Sequence, residues 1–313
     1  MPQDPTDASL AVTAAHEELA SDATNLDVMV SVEASGLSDP GLRRPKNEDH
    51  FLISQIERTW RTLQTNVPEG SFHFSVTDCV TAQIVADGMG GQAGGEVASR
   101  TAIATFVELV QRMPNLTLRL DKQAKEAALQ RLATRFEQVK EALEAVVRLD
   151  PTLRGMGTTM TLTVNFRSDL LVAHVGDSRA YLFRKGRLER LTRDQTLVQS
   201  LRDTGALTEE ELAAHPMRHI LTGVLGTKGK PINVELHFIR LEDGDQTLLC
   251  SDGLTEMVSE AAIAEVLAAT PTAEDACRRL VDTANRNGGK DNVTALVSRY
   301  RITTPAPLSP SPG

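Results

Sequence analysis

The chain has 313 residues, 41% apolar and 24% charged, with a net charge of −9. That length buries a core without disulfide or metal staples, and that composition excludes collagenous and wholly disordered chains. No stretch approaches the roughly 18 consecutive apolar residues of a membrane helix. All 33 Lys and Arg lie beyond residue 42, where they nearly balance the remaining acids, so there is no basic footprint for nucleic acid.

Residues 1–27 are acidic and polar and read as a flexible tail, while 303–313, with four prolines, read as a disordered one. Between them, 28–302 is expected to be a single folded domain. No basic start and apolar block opens the chain as a secretory signal would. Cys79, Cys250 and Cys277 are an odd number with no C-x-x-C spacing. That argues against a disulfide framework and for a reducing, cytoplasmic setting.

The predicted elements run in order. Strands are expected over 28–36, 50–56 and 82–86, each rich in Val, Ile, Leu or Thr and bounded by turn residues. A helix follows over 94–110. A second covers 121–149, where Leu132, Phe136, Val139, Leu143 and Val146 recur at helical spacing and form one apolar face. Strands return over 158–166, 170–176 and 179–186, with a hairpin turn at Arg184–Arg187. Further strands are expected over 232–241, 246–251 and 292–300. Helices over 259–268 and 272–286 open on Ser259 and Thr272, which can cap them. Grouped strands and grouped helices predict layers of sheet and helix, not a doubly wound fold.

Aspartate dominates five places: Arg43 to Asp49, Asp87-Gly88, Asp177-Ser178-Arg179, Asp252-Gly253, and Asp291-Asn292. Asp87 and Asp252 each follow an apolar strand and precede a glycine. One Asp-Gly is a common turn dipeptide and means little. Several carboxylates at strand ends would repel unless cations neutralise them. An all-oxygen set with no His or Cys suits Mg²⁺ or Mn²⁺ over Zn²⁺. Two such ions sharing a carboxylate can hold a hydroxide and neutralise a phosphoryl group. Arg44 could grip two phosphate oxygens through its fork of donors.

In this order, RPKNED, VADGMGG, GMGTT, VGDSRAY, LCSDG and GGKDNVT resemble the motifs of the metal-dependent protein serine/threonine phosphatases of the protein phosphatase 2C type, with the bacterial branch nearer. The resemblance implies an α+β fold, a four-layer α-β-β-α sandwich of two stacked antiparallel sheets flanked by helices. It implies two Mn²⁺ or Mg²⁺ ions, Asp87 bridging both and the Gly88 carbonyl joining one, with Asp252 and Asp291 on the other. Glu48 and Asp49 would hold water, Asn292 would support the Asp291 loop, and Arg44 would bind the substrate phosphate. A third, weaker ion would lie between Asp177 and Asp252. The segment from Thr204 to Gly226 corresponds to a mobile flap.

The implied activity is hydrolysis of phosphoserine and phosphothreonine in proteins by a hydroxide held between the two ions, opposing a bacterial Ser/Thr kinase. Phosphorylated proteins, including kinases and their substrates, would be its partners, and a monomer is the default. Met89 stands where the eukaryotic branch has a histidine proposed as general acid, which leaves His215 in the flap as a candidate beside the bland reading of an exposed loop histidine. Residues 57–81 are longer than a short hairpin and read as an insertion near the site, with Trp60 packing inside it. Cys250 and Thr158–Thr159 read as structural. A non-catalytic phosphoprotein-binding or regulatory relative, which would have lost metal aspartates, and a two-metal hydrolase for small phosphoesters or nucleotides, which would typically show His ligands, remain as rivals.

Overall fold

The structure is a computed structural model describing residues 29–61, 63–67, 75–91, 94–112, 122–205, 208, 211, 215–226 and 232–303. Both predicted tails, apart from Thr303, lie outside these residues, as does the side chain of Trp60.

The elements are β1 (Met29–Asp39), β2 (Asp49–Arg61), β3 (Ser75–Met89), α1 (Gly94–Gln111), α2 (Lys122–Leu149), β4 (Gly157–Thr158), β5 (Met160–Phe166) and β6 (Asp169–Val175). There follow β7 (Arg179–Arg184), β8 (Arg187–Arg190), α3 (Leu197–Asp203), β9 (Glu235–Arg240), β10 (Gln246–Cys250), α4 (Asp252–Thr255), α5 (Glu260–Ala269), α6 (Ala273–Arg286) and β11 (Val293–Thr303). One sheet has the order β1-β11-β10-β7-β8, and the other β2-β3-β5-β6-β9 with β4 paired to β3. Every pairing is antiparallel.

Strand alternation sorts the core into three slabs. On β6, Leu170 and Val172 pack between the sheets with Val85, Leu182, Leu249 and Leu296. Leu171, Ala173 and Val175 turn outward to meet α1 and α2. The α2 stripe lands there: Leu132, Phe136, Val139 and Leu143 are buried, and Phe136 meets Phe106 of α1 edge-on at 6.3 Å. On the other outer face, α5 and α6 cover Leu248, Cys250, Ala295 and Val297. The result is the expected four-layer sandwich.

Local signals act as predicted at both helix caps. Ser259 Oγ accepts from Ala262 N, and Thr272 Oγ1 accepts from Asp275 N. At the β7–β8 turn, Lys185 and Gly186 both adopt positive φ between the paired Arg184 and Arg187, as a tight right-twisted hairpin requires.

One expectation fails. Residues 57–61 and 75–81, expected to belong to an insertion near the site, are paired strand leading away from the carboxylates, while 62 and 68–74 lie outside the described residues. β2 and β3 pair from Asp49↔Asp87 out to Arg61↔Ser75, so the Glu57↔Cys79 pair already lies about 27 Å along the hairpin from the Asp49 end. Those described flanks lengthen the hairpin. Among the described residues, no helix is long and apolar enough to cross a membrane.

Candidate active site

The antiparallel register of β2 and β3 sets Asp49 directly opposite Asp87. β10 and β11 are neighbours, paired at Cys250↔Ala295. Asp252 just after β10 and Asp291 just before β11 therefore emerge at one end of their sheet. The two sheets are stitched at this end through Asp49. Its Oδ2 accepts from Ser251 Oγ and Thr294 Oγ1, both at 2.7 Å. Its Oδ1 is buried with no hydrogen-bond partner.

Close backbone approach explains two of the glycines. A Cβ at Gly88 would stand 2.1 Å from the Gly95 carbonyl oxygen, and one at Gly253 would stand 2.0 Å from that of Asn292. Both Asp-Gly pairs thus pack against another stretch of backbone, the start of α1 for Gly88 and the loop before β11 for Gly253, which a surface turn does not demand.

Asn292 locks the loops together. Its Oδ1 accepts from Glu48 N at 2.8 Å, and its Nδ2 donates to Pro40 O at 3.0 Å and Lys46 O at 2.8 Å. This holds the 40–48 loop over Asp291, where Arg44 Nη2 reaches Asp291 Oδ2 at 2.5 Å. Thr158 and Thr159 are buried and hold the Asp87 backbone: Thr158 Oγ1 donates to Asp87 O, and Thr159 Oγ1 accepts from Asp87 N. Thr159 Oγ1 also meets Ser178 Oγ at 2.8 Å, next to Asp177.

The electrostatics fit a group of carboxylates short of positive charge. Burial lifts Asp49 to about 6 and Asp177 to about 7, the latter with repulsion from Asp194 added. Asp87 and Asp252 are pushed well above the carboxylate range, first by burial and then by each other's neighbours: Asp49, Asp252 and Asp177 act on Asp87, and Asp177 and Asp291 on Asp252. Burial also raises Glu48, against the opposing pull of Arg44. Several acids that cannot all ionise alone, with one oxygen orphaned among them, form a donor set that a hard divalent cation would satisfy.

Sequence reasoning missed the hydroxyls of Ser251 and Thr294, and it missed His219 and Glu256. His219 Nδ1 lies 3.1 Å from Glu256 Oε1, and potential ligand atoms of His219, Asp252 and Glu256 lie within 4.8 Å of one another. Glu256 was readable, four residues after Asp252 and so on the same helical side. Nothing local marked His219. His215 instead accepts from Met217 N at 3.2 Å, so the flap histidine beside the carboxylates is His219. Cys250 is fully buried and its thiol is pushed up to about 12 by burial, which rules it out as a nucleophile at neutral pH.

The profile of the family described as Protein phosphatase 2C matches residues 69–295. The chain belongs to the protein phosphatase 2C family. It is 40% identical over 214 residues to the serine/threonine protein phosphatase PstP of Mycobacterium tuberculosis, covering 68% of this chain and 39% of that protein. It is 32% identical over 268 residues to the protein phosphatase PhpP of Streptococcus pneumoniae, covering 85% of this chain and 97% of that one. The chain therefore spans well under half of PstP and nearly all of PhpP. The crystal structure of the PstP catalytic domain in complex with two manganese ions matches with a TM-score of 0.66 at 33% identity, over 87% of this chain and 100% of that one. Membership of the protein phosphatase 2C family bears out the expected fold, and the expected activity and metals are those these relatives' names carry.

Proposed function

We propose that this chain hydrolyses phosphoserine and phosphothreonine in proteins with the help of Mn²⁺ or Mg²⁺. The observation that carries the reading is the buried carboxylate cluster with its orphaned Asp49 Oδ1, set beside Arg44 at one end of a protein phosphatase 2C fold. Asp87 and the Gly88 carbonyl would hold one ion, and Asp87, Asp252 and Asp291 the other. Asp177 with Asp252 would hold a third, and Glu48 and Asp49 would fix the ions' waters. When bound, such ions make water a nucleophile at neutral pH and neutralise phosphoryl charge.

The chain's own residues do the positioning. Asn292 fixes the Arg44 loop, so the guanidinium, half exposed and resting on Asp291, can exchange a carboxylate for a pair of phosphate oxygens that its fork of donors also spans. Ser251 and Thr294 turn one oxygen of Asp49 away and leave the other facing the cluster. Met89 carries no proton to give, so the leaving alkoxide takes one from water or from another group. Catalysis of this kind is positioning and charge neutralisation, with no covalent intermediate.

The activity it would oppose is that of a bacterial Ser/Thr kinase, which makes the phosphoester bonds this chain would break. Free Cys79, Cys250 and Cys277 accord with a reducing cytoplasm, and the chain acts as a monomer.

Purified protein given a phosphothreonine peptide should turn it over with Mn²⁺ and stop with EDTA. Asp252→Asn and Asp87→Asn should each abolish turnover while the far-UV circular dichroism spectrum is kept. Near wild-type activity in either variant would sink the assignment. Faster hydrolysis of a mononucleotide than of the peptide would favour the nucleotide hydrolase instead.

A further inference from the structure

Large exposed apolar side chains are few among the described residues, and four of them sit around the carboxylates: Leu42 at 66% exposure, Met89 at 41%, Met217 at 41% and Ile220 at 47%. Single exposed apolar residues need no explanation, but a group of them around a site marks an interaction surface. Each of the three principal carboxylates has its own apolar neighbour. Leu42 rides on the Asp291 loop, its N–H donating to Gly289 O at 2.7 Å, two residues before the Arg44 that touches Asp291. Met89 ends β3 two residues past Asp87 and lies against β4, where a Cβ on Gly157 would stand 3.7 Å from Met89 Cγ. Met217 and Ile220 flank the Arg218–His219 pair, which faces Glu256 beside Asp252.

That flap segment is held in place. Leu225 is buried and exchanges two backbone hydrogen bonds with Thr158, at 3.0 and 2.9 Å, and Leu197 N donates to Ile220 O at 2.8 Å. Met217 and Ile220 are therefore presented from a tethered stretch of backbone next to the strand that supports Asp87.

We propose that this apolar rim docks the residues flanking the phosphorylated side chain, and that the chain selects phosphoproteins with an apolar residue adjacent to the phosphoresidue. The proposal rests on the phosphatase reading. A phosphate held between Arg44 and the carboxylates brings its own polypeptide over the rim. Extended chain advances about 3.3 Å per residue, so the immediate neighbours on either side are the ones that meet Leu42, Met89, Met217 or Ile220. Arg43, Lys46 and Lys290 are exposed on the Leu42 side. They draw in any phosphoprotein by long-range attraction, and the apolar contacts discriminate among those that arrive.

The test uses the full chain with Mn²⁺ and phosphothreonine peptides of one length, with Leu, Gly, Asp or Lys flanking the phosphoresidue. p-Nitrophenyl phosphate serves as the substrate without flanks. The Leu-flanked peptide should exceed the Gly-flanked one by about 10-fold in kcat/KM, the scale of one apolar contact in a pocket, mostly through KM. Combining Met217→Ser with Ile220→Ser should erase most of that advantage and leave p-nitrophenyl phosphate turnover unchanged. Met89→Ser alone should erase part of it. Equal rates for Leu and Gly flanks, or a preference for Asp flanks, would overturn the proposal. So would a parallel loss of p-nitrophenyl phosphate turnover in the variants, which would make these residues supports of the site. A change of oligomeric state in the variants would identify the rim as a self-interface. Wild-type protein that turns over none of the substrates overturns the phosphatase reading itself and is told apart by that silence.

Discussion

Replacing Asp177 with Asn should stabilise the metal-free protein, by an amount that grows as pH rises from about 4 to about 7. The folded state raises this carboxyl from 3.8 to about 7, by burial first and repulsion from Asp194 second, against the pull of Arg179. A raised acid keeps its full stability below the unfolded value near 4 and loses it as pH rises through the folded value near 7. About three pH units correspond to ~4 kcal/mol at pH 8, and water entry and coupling to Asp252 reduce this to about 2–4 kcal/mol. The Asn amide carries no charge and escapes the penalty. For a chain of this size the melting temperature should rise by about 4–8 °C at pH 8 in EDTA. The gain should shrink to about 2 °C or less at pH 4.5. Thermal unfolding followed by circular dichroism at pH 4.5, 6 and 8 measures it. Mn²⁺ should narrow or reverse the gain at pH 8, because the wild type recovers ion-binding free energy that the variant has given up. A gain independent of pH, or a loss at pH 8 in EDTA, would refute the picture of an under-neutralised carboxylate cluster.

Arg44→Lys should lower kcat/KM for a phosphopeptide by about 10–100-fold, chiefly through KM, because one ammonium cannot reproduce the guanidinium's paired donors; steady-state kinetics reads this directly. Asn292→Ala should cost about 2–4 kcal/mol in denaturant unfolding, since it strips partners from Glu48 N, Pro40 O and Lys46 O at once. Its activity should fall as well, because the Arg44 loop loses its anchor. His174 is buried between Thr161 Oγ1 and Arg193 O, and burial lowers it to about 4. Its imidazole should stay neutral in NMR titration well below pH 6.5, and its share of stability should be lost as pH falls from about 6.5 toward 4.

Much of this protein is written locally. The alternation in β6, the spacing of Leu132, Phe136, Val139 and Leu143, and the caps at Ser259 and Thr272 follow from side-chain periodicity and from unsatisfied helix termini, which need no knowledge of distant residues. The Asp-Gly pairs after apolar strands located Asp87 and Asp252 for the same reason, and the ordered motifs tied them to a family. Short elements escaped: α3 and α4 are too brief to display a helical period. The placement of residues 57–61 and 75–81 escaped too, because the same residues extend a hairpin or form a loop according to pairing partners that local pattern does not name.

Tertiary structure alone decided what the carboxylates are to one another. The Ser251 and Thr294 hydroxyls reach Asp49 across 202 and 245 residues of chain, through the stacking of one sheet on the other. His219, not His215, faces Glu256 because the flap segment pairs with Thr158 and Leu197. The sequence by itself determined which residues could carry charge at strand ends and which faces would be buried. Only the register and stacking of the two sheets brought those charges within mutual reach, and that closeness, with water excluded, raises Asp49, Asp87, Asp177 and Asp252 above the ordinary carboxylate range and suits them to a cation.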